Sequence, residues 1–250
     1  MFERTIQFSA HEKFIEHNKE FLPIPIKLNI PEWFKKLEHT VLDKTVKGCM
    51  PFLDTLTTGY LLKMPINYYL EHNVINPKGN KDTGCISGAD RTMAPDLANK
   101  ININYHTEKS LHGTQQIEGS PLLEKNKGLK IHKILNPWTI KTPPGYSCLF
   151  CPPMNNTDDR FSIIPGIVDT DSFPLEINFP IVINGDKYPS LKTTIKKGTP
   201  YVQVIPFKRE PWKMKVTKTN NEKKQEKTFF YFDKVLHNYK TRFWSKKSWK

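Results

Sequence analysis

The chain has 250 residues, with 38 Lys and Arg against 25 Asp and Glu, a net charge of +13. That length can bury a substantial core, while 20 Pro with only 37% hydrophobic residues predict much irregular loop, and 12% aromatics exclude global disorder. No run approaches the ~20 apolar residues of a membrane span, and Met1-Phe2-Glu3-Arg4-Thr5-Ile6-Gln7 lacks the pattern of a secretion signal, so an intracellular, non-secreted protein is expected.

In chain order, Leu22-Pro23-Ile24-Pro25-Ile26 is expected to be extended, because each proline biases its predecessor away from helix. Asn29-Ile30-Pro31-Glu32-Trp33-Phe34-Lys35-Lys36-Leu37 reads as a short helix with Pro31 in its first turn and Glu32 complementing the positive end of the dipole. Residues 49 to 62 are apolar and break at Gly59-Tyr60, and Leu61-Leu62-Lys63-Met64-Pro65-Ile66 reads as a strand. Residues 76–127 form a long loop or insertion with one or two short elements, since a structureless loop of that length is unusual in a compact domain. From 129 the pattern turns to β. Leu129-Lys130-Ile131-His132-Lys133-Ile134 alternates with period two. Strands are predicted at 138–141, 146–150, 161–168, 175–183, 192–196 and 201–207, with a further one ending at Val216. Asn184-Gly185-Asp186 predicts a hairpin.

Many short strands with Gly, Pro and Asn punctuation predict a mainly β fold, a barrel of the β-clip or jelly-roll kind. The α elements are short N-terminal helices and a long basic C-terminal helix. The expected organisation is an N-terminal α+β segment over 1–75, the insertion over 76–127, a β-barrel core over 128–220 and the basic aromatic helix over 221–250, together one compact domain.

The last segment concentrates charge. Residues 221–250 hold nine Lys and Arg against three acids. Phe229, Phe232, Leu236, Tyr239 and Phe243 recur at helical spacing. Two readings stay open: a terminal helix docking its aromatic stripe on its own barrel, or an arm that packs on a partner chain or lies on nucleic acid. In the second, Lys240, Arg242, Trp244, Lys246, Lys247 and Trp249 would stack on bases and contact phosphates.

Asp169 and Asp171 are the candidate catalytic residues. In a continuing strand they project from one face and could hold a divalent cation or activate a water; in a turn they would satisfy backbone donors. Cys148 and Cys151 form a C-x-x-C, but an odd spacing on a strand points the thiols to opposite faces, and no second Cys or His pair accompanies them. The eight His form no metal-binding motif, so no resident metal is expected.

Three segments carry a resemblance: Pro143-Pro144-Gly145-Tyr146, Gly166-Ile167-Val168-Asp169-Thr170-Asp171 and Lys197-Gly198-Thr199-Pro200-Tyr201-Val202-Gln203-Val204-Ile205. Over residues 140–208 the chain resembles the dUTPase/dCTP-deaminase superfamily. That resemblance implies a β-clip barrel, a trimer, Asp169 in the place of the water-activating carboxylate and Phe173 in that of the nucleotide-stacking ring. Cys151-Pro152-Pro153-Met154-Asn155 stands where the superfamily grips phosphate with Arg-Ser-Gly. Pro144-Gly145-Tyr146-Ser147, Pro152-Pro153-Met154-Asn155, Gly166-Ile167-Val168-Asp169-Thr170-Asp171 and Gln203-Val204-Ile205-Pro206-Phe207 are similar to an uncharacterised family of bacteria and their phages; that resemblance implies no known activity and, with the composition, a phage origin and a location in the host cytoplasm or the virion.

Together these point to a phage-encoded, non-catalytic β-barrel protein that binds a nucleotide, nucleic acid or protein partner, with Tyr146, Asn155, Phe173 and Gln203 as candidate ligand-binding residues and no cofactor. The alternatives are a virion structural or assembly protein that joins copies of itself, and a dUTPase-like hydrolase using Asp169 with Mg²⁺.

Overall fold

The computed structural model describes residues 4–40, 42–73, 85–89, 111–218 and 238–250. The described strands begin with β1 (Gln7–Ser9), β2 (Ile24–Pro25), β3 (Tyr60–Lys63), β4 (Tyr68–Asn73), β5 (Cys85–Ala89), β6 (Leu111–His112) and β7 (Ile131–Ile134). They continue with β8 (Thr139–Lys141), β9 (Tyr146–Cys151), β10 (Phe161–Ile163), β11 (Gly166–Val168), β12 (Phe179–Ile183), β13 (Ser190–Ile195) and β14 (Pro200–Lys208). The described α-helices are α1 (Glu12–His17), α2 (Glu32–Lys36), α3 (Met50–Thr57), α4 (Pro121–Lys125) and α5 (Asn238–Arg242). The fold is mainly β, and two compact units divide the chain: Met1–Ile24 with Gly59–Lys208, and Pro25–Thr58 with Arg209–Lys250.

The first unit contains the β core. Its ladders run β11-β9-β14-β3-β2, β10-β12-β7-β6, β13-β4-β5 and β1-β8. Leu62, Phe150, Val202 and Val204 from the first sheet, Ile134, Phe161, Phe179 and Ile181 from the second, and Tyr68, Leu70, Leu191 and Ile195 from the third share one buried cluster. In β4 period-two alternation places them: Tyr68, Leu70 and His72 are buried while Tyr69, Glu71 and Asn73 are half-buried.

These sheets do not close into a barrel, which corrects the sequence expectation. Successive strands change sheet where a barrel would pair them with their neighbours. Residues 161–168, expected as one strand, split at Pro165, which has no N–H to give to a ladder. Phe161–Ile163 pairs with β12, whereas Gly166–Val168 pairs with β9. Asn184-Gly185-Asp186 likewise makes a crossover rather than a hairpin, because β12 pairs with β10 and β7 while β13 pairs with β4. Gly185 is needed for close approach: a Cβ there would meet a Lys127 side-chain atom at 2.6 Å and Lys125 O at 3.0 Å.

Of the expected insertion, residues 76–84 and 90–110 lie outside the described residues; β5 adds an edge strand to β4 and β6 pairs with β7. No strand ends at Val216, since β14 stops at Lys208 and 209–218 has no helix or strand.

The second unit has its own small aromatic centre. The expected short helix forms as α2, but it starts later than expected, with Pro31 as its N-cap rather than in its first turn, and Phe34 stacks on Phe52 of α3 with ring centroids 5.9 Å apart. Trp33 meets both rings edge-on at 5.7 and 6.1 Å. A long helix over 221–250 is not shown. Residues 219–237, with Phe229, Phe232 and Leu236, lie outside the described residues; α5 ends at Arg242, and 244–250 are not helical. Beyond that end Trp244 and Lys247 bond to Asp54 of α3.

Candidate functional site

Pro143-Pro144-Gly145-Tyr146 forms a tight turn in which Tyr146 N–H donates to Pro143 O at 3.2 Å. Proline at the second position and Gly145 at φ +83° at the third are the requirements of a type II turn. Three consecutive residues after β11 clip this turn in place. Asp169 Oδ1 accepts from the Ser147 hydroxyl at 2.6 Å, and Asp171 Oδ2 accepts from Gly145 N–H at 2.8 Å. Between them Thr170 is buried, its Oγ1 2.8 Å from the Thr142 hydroxyl and 3.3 Å from Cys148 Sγ.

The carboxylate pair therefore sits in a turn. The strand stops at Val168, Thr170 N–H folds back to Val168 O at 3.0 Å, and Ser172 and Phe173 N–H both donate to Asp169 O. Asp169 is exposed and Asp171 half-buried; Phe173 is exposed beside them. Tyr146 is half-buried, with the Arg4 guanidinium 5.2 Å from its ring centroid.

The other two ligand candidates lie at the far end of β9. Gln203 is buried opposite Cys151, and its Oε1 accepts from Met154 N–H at 2.9 Å. Asn155 follows, exposed, at φ +57°. Five strand steps, roughly 17 Å, separate this end from Tyr146. The structure thus brings Tyr146, Asp169, Asp171 and Phe173 together and leaves Asn155 and Gln203 elsewhere. Burial pushes the Cys148 thiol up to about 11 and raises Cys151, which keeps both protonated and weakly nucleophilic. Among the described residues no group of three or more His, Cys, Asp or Glu is placed to hold a metal ion.

The basic candidates lie in the second unit. The Trp244 indole N–H is shared between both carboxylate oxygens of Asp54, at 3.1 Å each, and Lys247 Nζ pairs with Oδ2 at 2.6 Å. Lys247 also lies 5.6 Å over the Trp244 ring. Trp249 is half-buried. Lys240, Arg242 and Lys246 are exposed, next to exposed Tyr239 and Phe243, whose rings stack one helical turn apart with centroids at 6.3 Å.

Sequence reasoning missed a buried polar cluster in the first unit. His72 Nε2 lies 3.1 Å from Asn126 O, and His72 Nδ1 lies 3.1 Å from His132 Nε2. Asn126 also accepts from Ile183 N–H at 2.9 Å and donates to Leu129 O and Lys130 O. The signal available in sequence was positional and held for His72 alone, an inward slot of the alternating strand β4 where an imidazole needs a partner; in β7 the adjacent Ile131 and His132 are both buried, which period-two spacing does not mark.

Compared with known proteins, the chain matches no family model, no curated protein and no solved structure.

Proposed function

We propose that this chain is a binding protein for nucleic acid, with the β unit as scaffold and the second unit as the contact surface. The observation that carries the reading is charge segregation. Residues 25–58 and 209–250 hold 18 of the 38 Lys and Arg but 8 of the 25 Asp and Glu, so they carry +10 of the net +13. Exposed Tyr239 and Phe243 stand among exposed Lys240, Arg242 and Lys246. Basic groups interleaved with aromatic faces suit a polyanion whose bases can stack. The carboxylate turn supports binding over hydrolysis, since Asp169 and Asp171 hold Ser147 and Gly145.

The test is the salt dependence of binding to an oligodeoxythymidylate. Each neutralised phosphate adds about 0.7 to the slope of log affinity against log salt for a single strand. The triple Lys240→Ala, Arg242→Ala, Lys246→Ala variant is expected to lower the slope by about 2. Binding that ignores salt, or a slope the triple variant leaves unchanged, overturns the reading.

A further inference from the structure

Beyond Lys208, where β14 ends, residues 209–218 carry no helix or strand and every one of them is exposed. Trp212 is 89% exposed, Met214 88% and Val216 86%. Three large apolar side chains in water within five residues are a contiguous apolar feature of the kind that folded chains reserve for contact with something else. They alternate with Lys213 and Lys215, and Lys218 follows.

That alternation decides the geometry of the contact. With period two, an extended chain puts Trp212, Met214 and Val216 on one side and Lys213 and Lys215 on the other. At helical period Met214 would fall opposite Trp212 and Val216, leaving no apolar stripe to lie on a membrane surface. Same-side residues of an extended chain stand about 6.7 Å apart, a spacing similar to that of neighbouring phosphates in a stretched single strand. A duplex hides its base faces in the stack and offers Trp212 nothing to stack on; a single strand offers base faces and phosphates together.

We propose that residues 212–218 are a strap for single-stranded nucleic acid, with Trp212 stacking on a base and Lys213 and Lys215 meeting phosphates. The proposal rests on the nucleic-acid reading above and adds to it the strand state of the ligand and the residue that recognises it. Charge complementarity names the occupant, because the strap belongs to the unit that holds +10.

The experiment uses the full chain, its Trp212→Ala and Trp212→Phe variants, and Lys213→Ala with Lys215→Ala. Binding is measured to an oligodeoxythymidylate, to a duplex of equal length and to phosphatidylserine vesicles. The wild type is expected to prefer the single strand. Trp212→Ala should weaken that binding about 5- to 150-fold, the range measured for loss of one stacked base, and Trp212→Phe should retain most of it. Quenching of tryptophan fluorescence by the oligonucleotide should be largely lost in Trp212→Phe. As these side chains are exposed, the variants are expected to fold. If the wild type binds no nucleic acid, the functional reading fails and this proposal with it. If it binds but Trp212→Ala changes nothing, or the duplex binds equally well, the strap proposal alone is overturned. Binding to vesicles with no response to the oligonucleotide overturns it in favour of a membrane contact.

Discussion

His72 Nδ1 and His132 Nε2 face each other at 3.1 Å in the centre of the β unit, from strands sixty residues apart. The Asn126 carbonyl can only accept, so His72 carries its proton on Nε2 and its Nδ1 is a bare lone pair. His132 then donates from Nε2, which leaves His132 Nδ1 bare, buried and without a hydrogen-bond partner among the described residues. Both rings are held neutral. Burial lowers His72 to about 4 and His132 to about 3, the neighbouring His72 adding to the second shift.

Acid lability follows from that pair. Each unfolded histidine titrates near 6.5, about two units or more above its folded value. Folding therefore excludes protons, and stability is complete above about pH 6.5, falls as the pH drops toward 4, and levels once the folded rings also protonate. Within that window each histidine contributes a slope of about 1.4 kcal/mol per pH unit. Urea midpoints measured from pH 7.5 to 4 should show the decline, and His132→Leu should flatten it by about one proton; an unchanged slope removes the pair as its cause.

Asn126 is a larger structural risk than its small size suggests. Asn126→Ala strips Ile183 N–H and the Leu129 and Lys130 carbonyls of a partner. Leaving buried groups unpaired costs about 1–3 kcal/mol each in the worst case, so a loss of about 3 kcal/mol is expected in chemical denaturation. A loss below about 1 kcal/mol would mean that water replaces the side chain.

The clip between Asp171 and Gly145 should appear as coupling. Gly145→Ala forces φ +83° on an L side chain, at about 1–2 kcal/mol. Asp171→Ala removes the acceptor for Gly145 N–H, and the two changes together should cost less than their sum by about 0.5 kcal/mol or more. Strict additivity in the double-mutant cycle would show that the turn holds without Asp171.

Asp54 anchors the tail through Trp244 and Lys247. In Asp54→Ala the 244–250 segment should become sensitive to limited proteolysis and its tryptophan emission should shift to the red, with only about 1 kcal/mol lost overall. An unchanged cleavage pattern would place the anchor elsewhere.

A nucleotide panel with Mg²⁺ addresses the hydrolase alternative. No turnover is expected from the wild type; turnover abolished by Asp169→Asn would reinstate a catalytic role for the turn.

Much of the local structure was legible in the sequence, because it depends on a few neighbouring residues. Pro143-Pro144-Gly145-Tyr146 specifies its turn through the fixed φ of Pro144 and the positive φ open to Gly145. Pro31 and Glu32 start α2 for equally local reasons, and the β-rich stretch after 129 shows in its short apolar runs punctuated by Gly, Pro and Asn. The excess of positive charge is a matter of counting. Only the tertiary structure decided which strand pairs with which. Pro165 and the 184–186 crossover send consecutive strands to different sheets, a choice made by long-range burial. It alone decided between the strand-face and turn readings of Asp169-Thr170-Asp171, by bringing up Ser147 and Gly145 from more than twenty residues away. It alone placed His72 against His132, since the alternation of β4 shows that His72 points inward but not what it meets there.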